Sequence, residues 1–321
     1  MNIIIYSVLF SCFTALILGL IFVPLLKRLK FGQNIREEGP ESHKKKAGTP
    51  TMGGIIFIVS SIAITIAIVK SFDREIILTI CSFVAFGIIG ILDDLIKIIH
   101  KNNQGLTSKE KLFLLIFVSA IVTYFLNKDI IVNKSIIVPF TGIILDLGKV
   151  YIPFIIFFYV ATTNAVNLTD GLDGLATSVT LLVMTFFVVV SYFLGHYKLA
   201  VFCGAVVGSL LGFLRYNSFP AKVIMGDTGA LALGGLIATI SIMLNMPLII
   251  AIIGIIYVVE TISVILQITS FKLTGRRIFK MAPLHHSFEL AGWHEAKIVA
   301  VFSITTVIMC IIAFLSLPII K

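Results

Sequence analysis

Asp170 and Asp173 stand three residues apart in NAVNLTDGLDG, residues 164–174, directly after the hydrocarbon run VYIPFIIFFYVATT. Carboxylates at the end of such a run are costly unless a cation or polar partner requires them. With Asn167 they repeat at i, i+3 and i+6, which on a helix drifts slowly around one face. Gly171 and Gly174 remove side-chain bulk and let a ligand approach the backbone. A helix–helix turn capped by Asp and Gly would leave the same pattern. GILDDLIK places Asp93 beside Asp94, about 100° apart on a helix, so that each faces a different partner. Lys97 follows Asp93 by four residues on nearly the same face, which also describes a plain interfacial ion pair. In NSFPAKVIMGDTGALALGG, residues 217–235, Asp227 occupies the expected N-cap of a helix, ahead of Thr228 and Gly229. The helix start is suited to phosphate or, more simply, to capping.

Two more polar groups join these. KKKAGTPTMGG, residues 44–54, sets Lys44, Lys45 and Lys46 before a helix start with Pro50 and two glycines. Cations beside exposed N–H groups make an anion site, or else report membrane topology alone. MAPLHHSFELAGWHEAK, residues 281–297, carries His285, His286, Glu289, Trp293 and His294. Neutral histidine binds metal, protonated histidine holds phosphate, and a satisfied structural pair does neither. Together, carboxylates, lysines, histidines and glycine-rich helix starts fit an anionic phosphate substrate with Mg²⁺, which prefers oxygen ligands and substrate phosphates. Zinc would favour His and Cys, and none of the four cysteines lies in these loops. Phosphoryl transfer needs charge neutralised, oxygens held in line and the attacking group oriented or deprotonated. Carboxylates this close to the membrane imply one water-soluble and one lipid-soluble reactant, the latter a lipid phosphate.

The elements that position these residues follow from composition. The chain has 321 residues, 58% of them hydrophobic and only 13% charged, and its mean hydropathy is +1.09. A soluble protein of this size needs a more polar surface. The expected fold is an all-α polytopic membrane protein, a single integral-membrane catalytic domain over 1–321. Ten spans are read at about 3–26, 51–69, 76–93, 111–127, 150–167, 174–194, 198–214, 229–245, 247–270 and 297–319. Glu260 and Gln267 make the 247–270 span the least regular. The first span reads as a retained helix, without the basic n-region and cleavage site of a signal peptide. Cys12, Cys81, Cys203 and Cys310 all fall in apolar runs without a CxxC pair and read as packing residues.

Ten spans place both termini on one side of the membrane. Of 25 Lys and Arg, that side holds Lys70, Arg74, Lys128, Lys134, Lys149, Lys198 and Lys321, and the opposite side holds the other 18. The positive-inside rule makes the richer side cytoplasmic and both termini extracytoplasmic. Asp93, Asp94, Asp170, Asp173 and Asp227 then all fall at cytoplasmic span ends, and the basic charge reports topology, not nucleic acid. In the outer loop, β-branched stretches around Asn133 and Lys134 predict a small hairpin over 130–138. No internal repeat of the kind transporters carry is visible.

GTPTMGG, DDLIK, NLTDGLDGLA, NSFPAKVIMGDTGALALGG and MAPLHHSFE, in this order and spacing, resemble the phospho-N-acetylmuramoyl-pentapeptide transferase family across essentially the whole chain. Five motifs in one order are specific where any one alone is weak. The resemblance implies ten transmembrane helices in the bacterial cytoplasmic membrane, a cytoplasmic active site, Mg²⁺ dependence and a homodimer. It implies transfer of phospho-N-acetylmuramoyl-pentapeptide from UDP-MurNAc-pentapeptide to undecaprenyl phosphate with release of UMP. By motif, Asp93 and Asp94 match the paired aspartates, Asp93 engaging or deprotonating the lipid phosphate, and Asp227 matches the metal ligand. Asn167, Asp170 and Asp173 match the string along the nucleotide cleft; Lys46, Thr51 and Lys97 match polar positions near phosphate; Asn217 matches a site residue. His285 and His286 match the first two of a run of three histidines, whose third is Ser287 here. A related polyprenyl-phosphate N-acetylhexosamine-1-phosphate transferase is the nearest alternative, and TPTMGG with PLHHSFE favours the peptide-bearing substrate. A lipid or solute transporter would instead carry ionisable groups near the bilayer centre, where only Glu260 stands.

Overall fold

The computed structural model describes residues 1–29, 48–100, 104–128 and 134–317. Lys44, Lys45 and Lys46 therefore lie outside the described residues. The membrane helices are α1 (Asn2–Arg28), α2 (Gly54–Ile68), α3 (Arg74–His100), α4 (Ser108–Lys128), α5 (Tyr151–Thr169), α6 (Leu175–Phe193), α7 (Tyr197–Asn217), α8 (Gly226–Met243) and α9 (Ile255–Thr274). A short helix, α10 (Leu284–Leu290), precedes the last, α11 (Glu295–Leu315). Among the described residues, 9 helices are long and apolar enough to cross a membrane, and α2 is a shorter apolar helix. Each of the ten spans read from hydropathy contains one of these helices, and the chain is an all-α, multi-pass membrane protein.

Two local expectations are corrected. The 247–270 span is interrupted at Gly254, between a turn of helix at Ile250–Ile253 and α9, and not at Glu260 or Gln267, which sit within continuous α9. A side chain at Gly254 would meet the Ile250 carbonyl at 2.8 Å and the Tyr257 ring at 2.9 Å, so the chain restarts its helix where only glycine fits. The outer hairpin exists, but later than 130–138. Strands β1 (Ser135–Ile137) and β2 (Ile144–Asp146) pair antiparallel with Ile137 opposite Ile144. Their turn lies over 138–143, not at Asn133 and Lys134; residues 129–133 are outside the described residues. Phe140 and Gly142 both adopt positive φ there, and Thr141 accepts from Ile143 N–H at 3.2 Å. The hairpin meets Asn245 and Ser316, at the ends of α8 and α11 far from Asp227.

Close helix contact in a bilayer relies on small residues, since lipid tails are as apolar as leucine. Ser7, Ser11, Ala15 and Gly19 form a buried stripe down α1 at intervals of four. It faces Gly204, Gly208 and Gly212 of α7: a side chain at Gly208 would lie 2.0 Å from the Val8 carbonyl, and one at Gly212 2.5 Å from that of Cys12. Among the described residues, buried hydroxyls other than that of Ser191 find partners inside the bundle, as hydrocarbon requires. Ser82 and Thr239 bond at 2.6 Å, Tyr159 joins Thr239 at 2.9 Å, and Thr180 meets the Tyr257 hydroxyl at 2.7 Å. The four cysteines are free thiols; Cys203 and Cys310 are buried as packing residues, whereas Cys81 is exposed on the outside of α3, while Thr79 and Ser82 of the same turn meet α8.

The turn between α6 and α7 is tied to the start of α3 by His196, whose Nδ1 lies 2.7 Å from Glu75. The Glu75 carboxylate beside it raises the imidazole above its ordinary 6.5, against the opposing effect of burial. A raised histidine value means that the tie is fully present below 6.5 and lost as pH rises through the elevated value. Thermal unfolding in detergent should therefore show a melting temperature that falls as pH rises above about 6.5. His196→Gln should flatten that slope, and an unchanged slope in the variant would remove His196 as its origin.

Candidate active site

The site begins with the absence of side chains. A Cβ at Gly90 of α3 would lie 2.1 Å from the Asp227 carbonyl, and one at Gly54 of α2 would lie 2.4 Å from the Gly229 nitrogen. Helices α2 and α3 thus rest directly on the first turn of α8. One turn further along α3, Asp93 and Asp94 arrive beside that same helix start, and both are buried.

Their two directions, expected from adjacency on a helix, are realised. Asp94 Oδ2 accepts from Thr228 N–H at 2.9 Å and from the Thr228 hydroxyl at 2.7 Å, while Oδ1 lies 3.5 Å from the Thr51 hydroxyl. Asp93 Oδ1 accepts from Leu106 N–H at 2.9 Å, and its Oδ2 pairs with Lys97 Nζ at 2.5 Å. The expectation that Asp227 is the N-cap is corrected: the cap position is Met225 and Asp227 lies in the first turn. The carboxylate that satisfies the free N–H of that turn comes from Asp94 on another helix, which frees Asp227 to face outward. Gly226, at φ 75°, makes this entry possible; a side chain there would meet Thr51 Oγ1 at 2.5 Å and Asp94 Oδ2 at 2.6 Å.

Asp227 is the hub. Its Oδ2 accepts from Lys97 Nζ at 2.9 Å and Lys111 Nζ at 2.7 Å, and its Oδ1 from Asn167 Nδ2 at 2.6 Å. One oxygen each from Asp93, Asp94 and Asp227 lie within 4.8 Å of one another, a set able to hold a metal ion. Three hard oxygen donors match an ion of the Mg²⁺ or Ca²⁺ type better than zinc. Asp93 Oδ2, buried and paired with Lys97, completes no hydrogen bond of good geometry, which leaves it open to a metal ion. Asp170 lies beside this group. Burial first, then the charges of Asp227, Asp94 and Asp173, push its carboxyl well above the ordinary carboxylate range, against a hydrogen bond from Gly226 N–H.

The remaining predicted residues fall into three places. Asp173 accepts from Ala221 N–H at 2.8 Å and donates its own N–H to Glu295 at 2.5 Å, so it ties the 170–174 turn to the loop before α8 and to α11. Asn217 is 1% exposed; it accepts from the Thr177 hydroxyl at 2.6 Å and donates to the Val223 carbonyl at 3.0 Å. Both ends of its amide are engaged within the protein. His285 is buried, and a side chain at Gly171 would come within 2.1 Å of its Nε2, so the histidines adjoin the aspartate turn but stand outside the three-carboxylate cluster. Lys46 falls outside the described residues.

Sequence reasoning missed Lys111, Thr228, Glu295 and the Leu106 amide. Lys111 falls among the 18 basic residues of the richer side; a lone lysine at the start of an apolar helix, on the side that gathers carboxylates, is the available signal. Thr228 was noted beside Asp227 without a partner, because the partner is 134 residues away.

The family model described as Glycosyl transferase family 4 matches residues 76–245. The phospho-N-acetylmuramoyl-pentapeptide-transferase signature 1 matches residues 46–58. The chain is 60% identical over 317 residues to the phospho-N-acetylmuramoyl-pentapeptide-transferase of Clostridium novyi (strain NT), covering 99% of this chain and 98% of that protein. It is 58% identical over 314 residues to the protein of the same name from Clostridium perfringens (strain 13 / Type A), with 98% of each covered. For Clostridium kluyveri (strain NBRC 12016) the identity is 57% over 313 residues, with 98% of this chain and 99% of the relative covered.

Because Gly90 sets the distance between α3 and α8, Gly90→Ala overpacks the contact and should cost about 1–3 kcal/mol of stability. The melting temperature of the detergent-purified variant should fall, and added Mg²⁺ should raise it less than it raises that of the wild type. An alanine variant with unaltered melting and an unaltered cation response would show that this approach does not build the cluster.

Proposed function

Since the chain belongs to the phospho-N-acetylmuramoyl-pentapeptide-transferase family, we propose that it transfers phospho-N-acetylmuramoyl-pentapeptide from UDP-MurNAc-pentapeptide to undecaprenyl phosphate, releasing UMP. The product is the first lipid-linked peptidoglycan precursor. The observation that carries this reading is the convergence of Asp93, Asp94 and Asp227 with Lys97 and Lys111, from three separate helices of a multi-pass protein, in a chain almost wholly alignable to these relatives.

Asp227, with Asp93 and Asp94, is the set that would hold Mg²⁺, which when bound neutralises pyrophosphate charge. The lysines already converge on one oxygen of Asp227, so an anionic oxygen arriving there meets two ammonium groups. An oxygen of the lipid phosphate attacks the phosphorus that bears the sugar. The bond from that phosphorus to the oxygen bridging it to the uridine phosphate breaks, and the electron pair leaves with UMP. A phosphate monoester loses its second proton near pH 6, so no strong base is needed; Asp93, fixed by Leu106 N–H and Lys97, orients the nucleophile more than it deprotonates it. Asn167, Asp170, Thr51 and Lys46 belong to the nucleotide-phosphate side of the site. Asp173 and Asn217 shape the turn and loop that present it.

The 18 basic residues of the loops on the Asp227 side support a cytoplasmic active site in the bacterial inner membrane, with both termini and the hairpin outside. A homodimer is read on the family resemblance, and crosslinking in membranes tests it.

Detergent-purified protein with Mg²⁺ should release UMP from UDP-MurNAc-pentapeptide only when undecaprenyl phosphate is added, and much more slowly from UDP-GlcNAc. UMP release without lipid would refute the reading, and transport without UMP would favour a carrier. Asp227→Ala should abolish turnover at any Mg²⁺ concentration, and near-normal turnover would remove Asp227 from the metal set. Incubation with the UDP-sugar alone should leave no phosphate on the protein; a phospho-aspartate would replace direct displacement by a two-step route.

A further inference from the structure

The Asp227 cluster gathers at one end of the bundle, around the starts of α2 and α8 and the last turns of α3. At the opposite end, the start of α1, the end of α2 and the junction of α6 with α7 enclose a hollow of about 370 Å³, within the size range of small-ligand sites. Its floor is apolar. Ile4, Val69 and Val201 are each at most 9% exposed and form a small core cluster of their own with Ala200. Ile3, on the wall, is 57% exposed, so apolar surface runs from the floor to the outside of α1.

The rest of the lining is polar and cationic. Lys70 and Lys198 contribute ammonium groups, and Tyr192 and Tyr197 contribute hydroxyls. The two tyrosine rings meet edge to face at 5.4 Å; such side chains collect where hydrocarbon gives way to headgroups. The nearby acids, Asp73 and Glu75, are not among the lining residues. Glu75 lies 2.7 Å from His196, and Asp73 lies 2.9 Å from Lys198 Nζ. Both side chains of the Asp73–Lys198 pair are open to solvent, and exposed pairs of this kind are weak and exchangeable. An ammonium has three donors, so Lys198 can serve a second anion beside Asp73.

We propose that this hollow binds an anionic phospholipid of the leaflet opposite the active site. Lys70 and Lys198 take the phosphate, the tyrosine hydroxyls take the glycerol and ester oxygens, and the acyl chains leave over Ile4 and Ile3. A soluble anion would meet the lysines but leave the apolar floor unused. A neutral hydrocarbon would fill the floor and leave two ammonium groups unanswered. A phosphate ester carrying hydrocarbon chains satisfies both. The bound lipid touches α1, α2 and α7 at once, so it fastens three helices at this end of the bundle. The site needs neither Mg²⁺ nor the transfer reaction, and it stands independently of the transferase reading.

The test titrates the delipidated full chain in detergent with phosphatidylglycerol or with phosphatidylcholine of the same acyl chains, counting bound lipids by native mass spectrometry. The wild type should bind one phosphatidylglycerol at least about 10-fold more tightly than phosphatidylcholine, from two lysines at about 5-fold each. Phosphatidylglycerol should also raise its melting temperature more. The double variant Lys70→Ala/Lys198→Ala should lose that preference, and Lys70→Arg/Lys198→Arg should keep it. Lys128→Ala/Lys149→Ala, which removes two exposed lysines at the same end of the bundle, should leave it unchanged. Equal affinity of the wild type for the two lipids overturns the inference, and that comparison needs no variant to fold. Undiminished preference in Lys70→Ala/Lys198→Ala overturns it as well. An equal loss in Lys128→Ala/Lys149→Ala would replace the site by diffuse attraction. Displacement of the lipid by millimolar glycerol phosphate would assign the hollow to a soluble anion instead.

Discussion

Everything in the site depends on how three carboxylates are kept together at the end of an apolar bundle. Asp93, Asp94 and Asp227 have oxygens within 4.8 Å of each other, an arrangement that mutual repulsion would scatter. Two ammonium groups oppose it. Lys97 lies one helical turn from Asp93 on the same helix and touches all three acids; Lys111 approaches Asp227 from α4. Desolvated ion pairs of this kind rarely add net stability, but loss of one partner leaves a buried charge stranded. Formally three acids face two lysines, an oxygen-lined group able to hold a metal ion.

The same constraint explains the glycines. A carboxylate can cap another helix only if the two backbones nearly touch, and Gly90 and Gly54 allow this against Asp227 and Gly229. Asp94 then replaces the local cap of α8, and Asp227 is left to the lysines and Asn167. Because the groups sit on helices rather than on long loops, their spacing is set by helix packing, the most rigid feature a bilayer protein has. Loop contacts come from Thr51 and Leu106 and from the turn at 170–174, which is held at three points: Gly226 against Asp170, Ala221 against Asp173, and Glu295 against the Asp173 amide.

Legibility followed sequence distance. All ten spans were readable because twenty apolar residues in a row have few alternatives, and the side on which the acids gather was readable from the charges themselves. Pairwise partners within one turn, such as Asp93 with Lys97, follow from helix geometry. Partners across the fold do not. Nothing local to Asp227 says that its neighbour Thr228 will be capped by Asp94, so the N-cap rule named the wrong acid. Lys111 looked like a topology signal because its carboxylate is 116 residues away. The hairpin was displaced because β-branched residues mark strands but positive-φ positions mark turns, and only the latter, at Phe140 and Gly142, set the register.

Glu260 shows the limit most plainly. Read along α9, it interrupts an apolar helix and suggests irregularity, yet the helix runs straight through it and breaks six residues earlier at Gly254. An acid in a span is tolerated when its partner is carried to it, and here the short helix α10 folds back to deliver His285. The cost of burying the carboxylate thus selects the position of the loop after α9. That loop in turn sets a histidine against Gly171, in the turn that joins α5 to α6. A buried carboxyl and a glycine without a side chain, 89 residues apart in the chain, lie on either side of one imidazole ring.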